Sequence, residues 1–279
     1  MQSKSSRQRS SVDALESRRL LASSLATDGV LTITGTSRND AIVITIDPAN
    51  ASRLKVSQDG VVSRFTLSLV RRISASLFKG HDSLTIADTI TIPASVLGAG
   101  GRDTILAGAG KDTLDGGDSE DILNGRAGKD LLIGGTGTDE IYGGPGKDTV
   151  SYEYVTTEFL PAGNRSGFGV IISLDGLRNE QEATGSDYID TSIENVIGTQ
   201  FRDAIDGSGG DNVLTGGDGP DSIVGNGGRD YLDGGTGADT LKGGSGVDTI
   251  IGGESGDMFL SAERDAGEVL DFADGDSVV

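Results

Sequence analysis

Residues 98–151 read GAGGRDTIL, AGAGKDTLD, GGDSEDILN, GRAGKDLLI, GGTGTDEIY and GGPGKDTVS, which are six consecutive units of nine residues. Residues 198–260 add seven more units: GTQFRDAID, GSGGDNVLT, GGDGPDSIV, GNGGRDYLD, GGTGADTLK, GGSGVDTII and GGESGDMFL. A short fixed period is typical of solenoids, in which each unit cannot bury its apolar face alone and stacks on its neighbours. These two arrays therefore decide the fold.

The sixth and eighth positions are among the most regular positions of the unit. The eighth position is apolar in every unit, from Ile105 in the first to Phe259 in the last. The sixth position is acidic in all but one unit and is filled by Asp103, Asp112, Asp121, Asp130, Asp139, Asp148, Asp203, Asn212, Asp221, Asp230, Asp239, Asp248 and Asp257. Because side chains alternate along a strand, each unit predicts a glycine-rich loop followed by a three-residue strand with its middle side chain in the core. The predicted fold class is an all-β parallel β-roll, or β-solenoid.

With strands this short, two units make one turn of the roll, so every second unit stacks directly. We therefore expect four columns: Asp103, Asp121 and Asp139; Asp112, Asp130 and Asp148; Asp203, Asp221, Asp239 and Asp257; and Asn212, Asp230 and Asp248. In this arrangement Asn212 lies at the start of its column. Parallel strands lie about 4.8 Å apart, where two carboxylates repel by roughly 1 kcal/mol in water and by more at a lower dielectric.

A cation between successive loops would turn this repulsion into attraction. Carboxylate and carbonyl oxygens, six to eight of them at about 2.3–2.6 Å, suit Ca²⁺, whereas Mg²⁺ demands stricter octahedral geometry. The alternative is that these aspartates only cap turns through Asx-type hydrogen bonds. Such capping requires neither so uniform an aspartate nor a stacked array of like charge, so the pattern favours several calcium ions.

Composition narrows the classes of function. The chain has 23 Lys and Arg against 43 Asp and Glu, a formal charge of −20, which disfavours nucleic acid as a partner. It has no cysteine, so thiolate metal sites and cysteine nucleophiles are excluded. No apolar run reaches the roughly 18 residues of a membrane span. The only histidine is His81, which excludes a His-Glu-x-x-His zinc protease, and no Gly-x-Ser-x-Gly elbow occurs. We therefore predict that the chain is not an enzyme.

The arrays resemble the hemolysin-type, or RTX, calcium-binding nonapeptide G-G-x-G-x-D-x-U-x. In that family each ion is held between loops two repeats apart, by carbonyls of the glycine-rich turn and by the aspartate. The resemblance implies that the thirteen sixth-position residues above are the metal ligands. Departures from the pattern imply weaker sites: Ser119 and Ser255 replace the fourth glycine, and Thr199, Phe201 and Asn212 depart in the first units of the second array.

The remaining segments lead to a predicted division of the chain into six parts: 1–26, a basic export-like segment; 27–97, an irregular β-region; 98–151, the first array; 152–197, a spacer with a β-strand; 198–260, the second array; and 261–279, a tail. Within 27–97 we expect strands at Val30–Thr34, Ala41–Ile46, Phe65–Val70 and Leu84–Ile92. Degenerate echoes of the unit around Asp40 and Asp82 are candidates for further calcium. Whether the spacer interrupts the roll stays open at this point.

Two terminal resemblances bear on location. Residues 12–23 resemble the LEPR-x-LL segment of planctomycete surface proteins, with Ser17 in place of proline. The end, Asp276-Ser277-Val278-Val279, is similar to the ends of type I secretion substrates. We therefore expect an extracellular or cell-surface protein whose calcium-dependent folding serves a structural or adhesive role, with surface or matrix components as partners. The alternative is the calcium-binding part of a secreted toxin or hydrolytic enzyme, of protease, lipase or β-helical lyase type.

Overall fold

The computed structural model describes residues 22–155, 168–176, 186–260, 269–271 and 276–279. The predicted N-terminal segment and the LEPR-x-LL-like stretch lie almost entirely outside these residues. The described residues contain β-strands, one 3-10 turn at Leu67–Leu69 and no α-helix. None of their helical segments could cross a membrane.

The strands form three sheets of twelve, eight and six strands. In order from one edge to the other, the twelve-stranded sheet contains β1 (Ala22–Leu25), β2 (Val30–Thr34), β6 (Arg72–Ser76), β8 (Ala94–Gly100), β10 (Thr113–Asp118), β12 (Leu131–Thr136), β14 (Asp148–Ser151), β17 (Ile193–Ile197), β19 (Val213–Asp218), β21 (Tyr231–Thr236), β23 (Thr249–Glu254) and β25 (Val269–Asp271). From one edge to the other, the eight-stranded sheet contains β16 (Tyr188–Ile189), β13 (Glu140–Tyr142), β11 (Ile122–Asn124), β9 (Thr104–Leu106), β7 (Ser83–Ile86), β3 (Ala41–Asp47), β4 (Asn50–Gln58) and β5 (Val61–Thr66). The six-stranded sheet runs through β15 (Phe168–Ser173), β18 (Arg202–Asp206), β20 (Ser222–Gly227), β22 (Thr240–Ser245), β24 (Met258–Phe259) and β26 (Ser277–Val278).

The register of the sheets confirms a parallel β-roll with two units to the turn. Leu114 pairs with Leu132 in the twelve-stranded sheet, and Ile223 pairs with Leu241 in the six-stranded sheet. Both pairs are eighteen residues apart, which is twice the period of the unit. Consecutive units therefore alternate between the twelve-stranded sheet and one of the two sheets opposite it.

A single apolar side chain from each unit fills the space between the sheets. The eighth-position residues, from Ile105 to Phe259, are all at most 2% exposed. Burying an aliphatic side chain of this size contributes about 1.5–3 kcal/mol, and two such residues per turn make a thin core. The stability of the fold therefore depends strongly on the interactions made by the loops that flank this core.

The region before the arrays is more regular than expected. Strands β2, β6 and β8 are parallel members of the twelve-stranded sheet, and β3 and β7 are parallel members of the eight-stranded sheet. The predictions of strands at Phe65–Val70 and Leu84–Ile92 were partly wrong: β5 ends at Thr66, and β7 ends at Ile86. Antiparallel β4 and β5 continue the eight-stranded sheet beyond β3 to its edge.

The spacer does not interrupt the roll on the side of the twelve-stranded sheet. Strand β17 pairs with β14 from the first array and with β19 from the second. On the opposite side the spacer supplies β16, which ends the eight-stranded sheet, and β15, which begins the six-stranded sheet. One face is thus continuous through both arrays, while the other face is divided between two sheets.

Candidate metal centre: the aspartate columns

The sixth-position aspartates stack in columns, and each is hydrogen-bonded to the next. The backbone N–H of Asp103 donates to Oδ1 of Asp121 at 2.7 Å, and the N–H of Asp121 donates to Oδ1 of Asp139 at 2.8 Å. In the second array the N–H of Asp221 donates to Oδ1 of Asp239 at 2.8 Å. One carboxylate oxygen of each residue is therefore used to join successive turns, as the predicted stacking of every second unit requires.

The columns extend beyond the residues that the repeat predicted. The N–H of Asp40 donates to Oδ1 of Asp82, and the N–H of Asp82 donates to Oδ1 of Asp103. At the other end, Asp187 accepts the N–H of Asp139. In the second array Asp276 accepts the N–H of Asp257.

Asn212 is not at the start of its column, so that prediction was wrong. Glu194 from the spacer lies between Asp148 and Asn212: its Oε2 accepts the N–H of Asp148 at 2.8 Å, and its carbonyl oxygen accepts a hydrogen bond from Nδ2 of Asn212 at 2.7 Å. The physical reason is the pairing of β17 with both β14 and β19, which carries the column across the spacer. The two arrays share this column.

Sequence reasoning missed the roles of Asp187, Glu194 and Asp276, although a signal for two of them exists. Asp187-Tyr188-Ile189 and Asp276-Ser277-Val278 each repeat the order of the sixth to eighth positions, an aspartate, any residue and an apolar residue. Neither triplet follows a glycine-rich loop of the right length, so the period alone did not point to them. Glu194 is a glutamate in place of the aspartate and carries no such signal.

The second carboxylate oxygen of most column members is buried without any hydrogen-bond partner. This oxygen, Oδ2, is isolated in eleven aspartates: Asp82, Asp103, Asp112, Asp121, Asp130, Asp139, Asp148, Asp221, Asp230, Asp239 and Asp257. Each of these side chains is at most 3% exposed. A buried charge without a partner costs several kcal/mol, and native domains are stable by only about 5–15 kcal/mol. The column oxygens therefore require a positive charge or a proton.

Two kinds of turn differ in the φ angle of the residue that lies four positions before the aspartate. In ten of the eleven turns with an isolated Oδ2, that residue has a positive φ; only Gly108, before Asp112, does not. The left-handed residues in these ten turns are Phe78, Ala99, Gly117, Arg126, Gly135, Gly144, Gly217, Asn226, Gly235 and Gly253. We call these the open turns, because Oδ2 is left without a donor.

Three column members lie instead in closed turns, in which a residue four positions earlier caps the side chain. The N–H of Thr36 donates to Oδ2 of Asp40 at 2.5 Å, and the N–H of Thr199 donates to Oδ2 of Asp203 at 2.6 Å. The N–H of Ser208 donates to Oδ1 of Asn212 at 2.8 Å. These turns satisfy their side chains by hydrogen bonds within the loop, without metal, although the donor lies four residues earlier and the bond is not an Asx turn.

The serine departures do not change the backbone conformation of their turns. Ser119 and Ser255 take the place of the fourth glycine, yet both adopt a positive φ, 86° and 96°. Asp121 and Asp257, which follow them, have isolated Oδ2 atoms like the regular turns. The replacement of glycine at the fourth position therefore leaves the open turn intact, whereas Thr199 at the second position accompanies a closed one.

Burial raises the pKa of several column carboxyls far above their ordinary range. Desolvation is the largest cause throughout, and repulsion between stacked carboxylates adds to it. The pKa of Asp121 and of Asp221 is raised to about 8, and the pKa of Asp130 and of Asp139 to about 7. The pKa of Asp82 is raised to about 6. At neutral pH, Asp121 and Asp221 therefore hold a proton unless a cation replaces it, Asp130 and Asp139 are about half protonated, and Asp82 is largely ionised.

The donor set of the open turns fits a hard cation. The described residues contain no cluster of three or more histidine or acidic side chains in metal-binding proximity, so an ion there would also need backbone carbonyl oxygens. Such oxygens crowd the glycines: a Cβ built on Gly116 would lie 2.5 Å from both Oδ2 of Asp121 and the carbonyl oxygen of Gly134. Carboxylate and carbonyl oxygens without nitrogen or sulfur are the ligands that Ca²⁺ prefers.

This crowding leads to a prediction for glycine substitutions. Gly116→Ala should destabilise the calcium-loaded protein by about 1–3 kcal/mol or more, because its Cβ overlaps two oxygen atoms. Gly209→Ala is the matched control, since nothing lies within 4 Å of a Cβ at that loop position. Thermal denaturation of both variants in saturating calcium measures the difference. Equal stability of the two variants would contradict the packing described for Gly116.

Comparison with known families agrees with this geometry. Residues 97–132, 125–152, 184–223, 197–232 and 224–259 match the family described as the RTX calcium-binding nonapeptide repeat (4 copies). Residues 97–259 therefore carry RTX nonapeptide repeats, which bind calcium. No curated protein matches the chain.

Proposed function

We propose that the chain is a calcium-dependent structural or adhesive module that works outside the cell or on its surface. The observation that carries this proposal is the set of eleven buried Oδ2 atoms without partners, arranged in columns one turn apart. Calcium supplies the positive charge that these oxygens lack. The protein would then be a roll whose stiffness and shape depend on the calcium concentration around it.

The proposed ligands are the sixth-position side chains of both arrays together with carbonyl oxygens of their glycine-rich loops. Within this set we expect Asp203 and Asn212 to contribute least to calcium binding, because their side-chain oxygens already accept hydrogen bonds from Thr199 and Ser208. We expect the largest contribution from aspartates that lie inside a run of open turns, such as Asp239. Its neighbours in the column, Asp221 and Asp257, also have isolated Oδ2 atoms.

A matched pair of substitutions tests this assignment. Asp239→Asn keeps the size of the side chain and removes its charge, so the calcium midpoint for folding should rise by roughly tenfold, which corresponds to about 1.4 kcal/mol. Asp218→Asn removes the same charge from an exposed residue of the same array, whose Oδ1 accepts a hydrogen bond from Thr236. It should shift the midpoint by less than a factor of about 2, because exposed charges interact weakly.

The measurement is a calcium titration of each full-length variant, followed by circular dichroism. Similar midpoints for Asp239→Asn and the unmodified chain would remove Asp239 from the ligand set. A shift of the same size in Asp218→Asn would mean that total charge, and not the column, sets the calcium dependence.

The proposed location rests on the same chemistry. Loop oxygens with a single carboxylate per turn make weak sites, and such sites fill where calcium is abundant, outside the cell rather than in the cytosol. The resemblance of residues 12–23 to a segment of planctomycete surface proteins adds support to export. Fractionation of cells into cytosol, surface and medium measures this location, and confinement to the cytosol would contradict it.

A further inference from the structure

The turn that ends at Asp82 lies outside the residues matched by the RTX family, yet it has the form of an open turn. Asp82 is 3% exposed, and its Oδ2 has no hydrogen-bond partner. Its Oδ1 accepts the N–H of Asp40, and its own N–H donates to Oδ1 of Asp103. It is therefore a full member of the column that continues into the first array.

The backbone of this turn adopts the open conformation against the preference of its sequence. Phe78, four residues before Asp82, has a φ of 73°. A bulky residue in the left-handed region is an outlier that costs roughly 1–2 kcal/mol. The Phe78 side chain is 46% exposed, so packing of the ring does not explain the conformation. Strain of this kind persists where the surrounding structure requires it, often at a ligand site.

The loop also keeps the close packing of the fourth position. Gly80 has a φ of 145°, and a Cβ built on it would lie 2.5 Å from the carbonyl oxygen of Arg38 and 2.9 Å from Oδ1 of Asp82. A Cβ built on Gly101, in the next turn, would overlap the carbonyl oxygen of Gly80. Carbonyl oxygens of two successive turns, those of Arg38 and Gly80, therefore lie against the loop that holds Asp82.

We propose that the Asp82 turn binds a further calcium ion, ahead of the repeats. This inference rests on the proposed function of the arrays and extends it to a turn that lacks the consensus. The turn departs from the repeat at Leu77, which is fully buried where the arrays have their first glycine. We therefore expect this site to fill at a higher calcium concentration than the sites of the arrays.

The preceding turn of the same column provides a matched control. Asp40 is equally buried, but Thr36 caps both of its carboxylate oxygens, by its N–H at 2.5 Å and by its Oγ1 at 3.1 Å. Both carboxylate oxygens of Asp40 thus already accept a hydrogen bond from Thr36, whereas Oδ2 of Asp82 accepts none. The two echoes of the repeat, which the sequence offered as equal candidates, differ in this respect.

The test is the number of calcium ions bound by the full chain, measured by equilibrium dialysis at the lowest calcium concentration that saturates the unmodified chain. Asp82→Asn should bind one ion fewer than the unmodified chain, while Asp40→Asn should bind the same number. Equal numbers for Asp82→Asn and the unmodified chain would overturn the inference, as would an equal loss in both variants. If the unmodified chain bound no calcium, the proposed function itself would fail.

A second measurement covers the case in which a variant folds poorly. Amide hydrogen exchange of Ser83–Ile86 should slow further when calcium rises above the level that saturates the arrays. Phe78→Gly, which suits the left-handed conformation, should keep this calcium-dependent protection. If exchange in this strand did not respond to calcium in either the unmodified chain or Phe78→Gly, the inference of an ion at Asp82 would be wrong.

Discussion

Removal of calcium is expected to unfold both arrays, and millimolar calcium is expected to refold them. Ten of the eleven isolated carboxylate oxygens lie within residues 98–260, and only Asp82 lies before them. Several kcal/mol for each uncompensated charge exceeds what one buried aliphatic per unit supplies. The chain also contains 45 glycines, which lose more conformational entropy on folding than other residues. The metal-free, ionised arrays therefore have no net stability.

The measurement compares far-ultraviolet circular dichroism and hydrodynamic radius in chelator and in calcium. The β-signal should fall sharply in chelator and the radius should increase, and both should recover on addition of calcium. Magnesium at the same concentration is the control, and it should restore much less of the signal because of its stricter geometry. Identical spectra and radii with and without calcium would contradict the coupling of folding to metal.

Some β-signal should remain in chelator, from the part of the chain before the arrays. Strands β2 to β7 bury a denser apolar cluster, which includes Ile33, Ile44, Leu54 and Ile73. Their column contains the closed Asp40 turn, which Thr36 satisfies without metal. This region and the arrays share a sheet, but the Asp40 turn is stabilised by hydrogen bonds from Thr36, whereas we propose that the turns of the arrays are stabilised by calcium.

The period of nine was enough to predict the register of the roll. When strands pair at an offset of eighteen residues, each apolar residue lies beside an apolar residue and each aspartate lies beside an aspartate. The pairing of Leu114 with Leu132 follows directly from it. The antiparallel addition of β4 and β5 does not, since β4 begins with Asn50-Ala51-Ser52-Arg53, which has no alternation of apolar residues. That strand depends on its tertiary partner β3, and local pattern contains little information on such pairing.

The sequence predicted which residues occupy the candidate sites, but it did not predict which of their turns are open and which are closed. The consensus treats Asp203 and Asp221 alike, yet Thr199 caps the first and Oδ2 of the second is isolated. The difference lies in a backbone torsion four residues earlier, where Thr199 is not left-handed and Gly217 has a φ of 110°. Phe78 and Arg126 show that glycine is not required for the left-handed torsion. Residue types alone could not separate these cases.

Mild acid is expected to stabilise the calcium-free protein, in contrast to ordinary acid denaturation. The ordinary pKa of these aspartates is 3.8, and in the folded chain burial and like charge raise it to about 6 for Asp239, about 7 for Asp130 and about 8 for Asp221. A raised pKa means that the folded state binds protons more tightly than the unfolded state. The resulting stability is fully present below about pH 4 and is lost as the pH rises through 6 to 8.

Calcium should reverse the sign of this dependence, because protons and calcium compete for the same oxygens. In metal-free buffer, the arrays should be largely unfolded at about pH 8 and should regain structure, with a rising melting temperature, as the pH falls towards about 5, since buried carboxylates are neutralised by protons. In calcium, the midpoint of the titration should move to higher calcium concentration over the same range. Thermal scans and calcium titrations at four pH values across this range measure both trends. A metal-free protein that loses stability steadily on acidification would show that the column carboxylates are paired with cationic groups of the protein and not with an exchangeable ion.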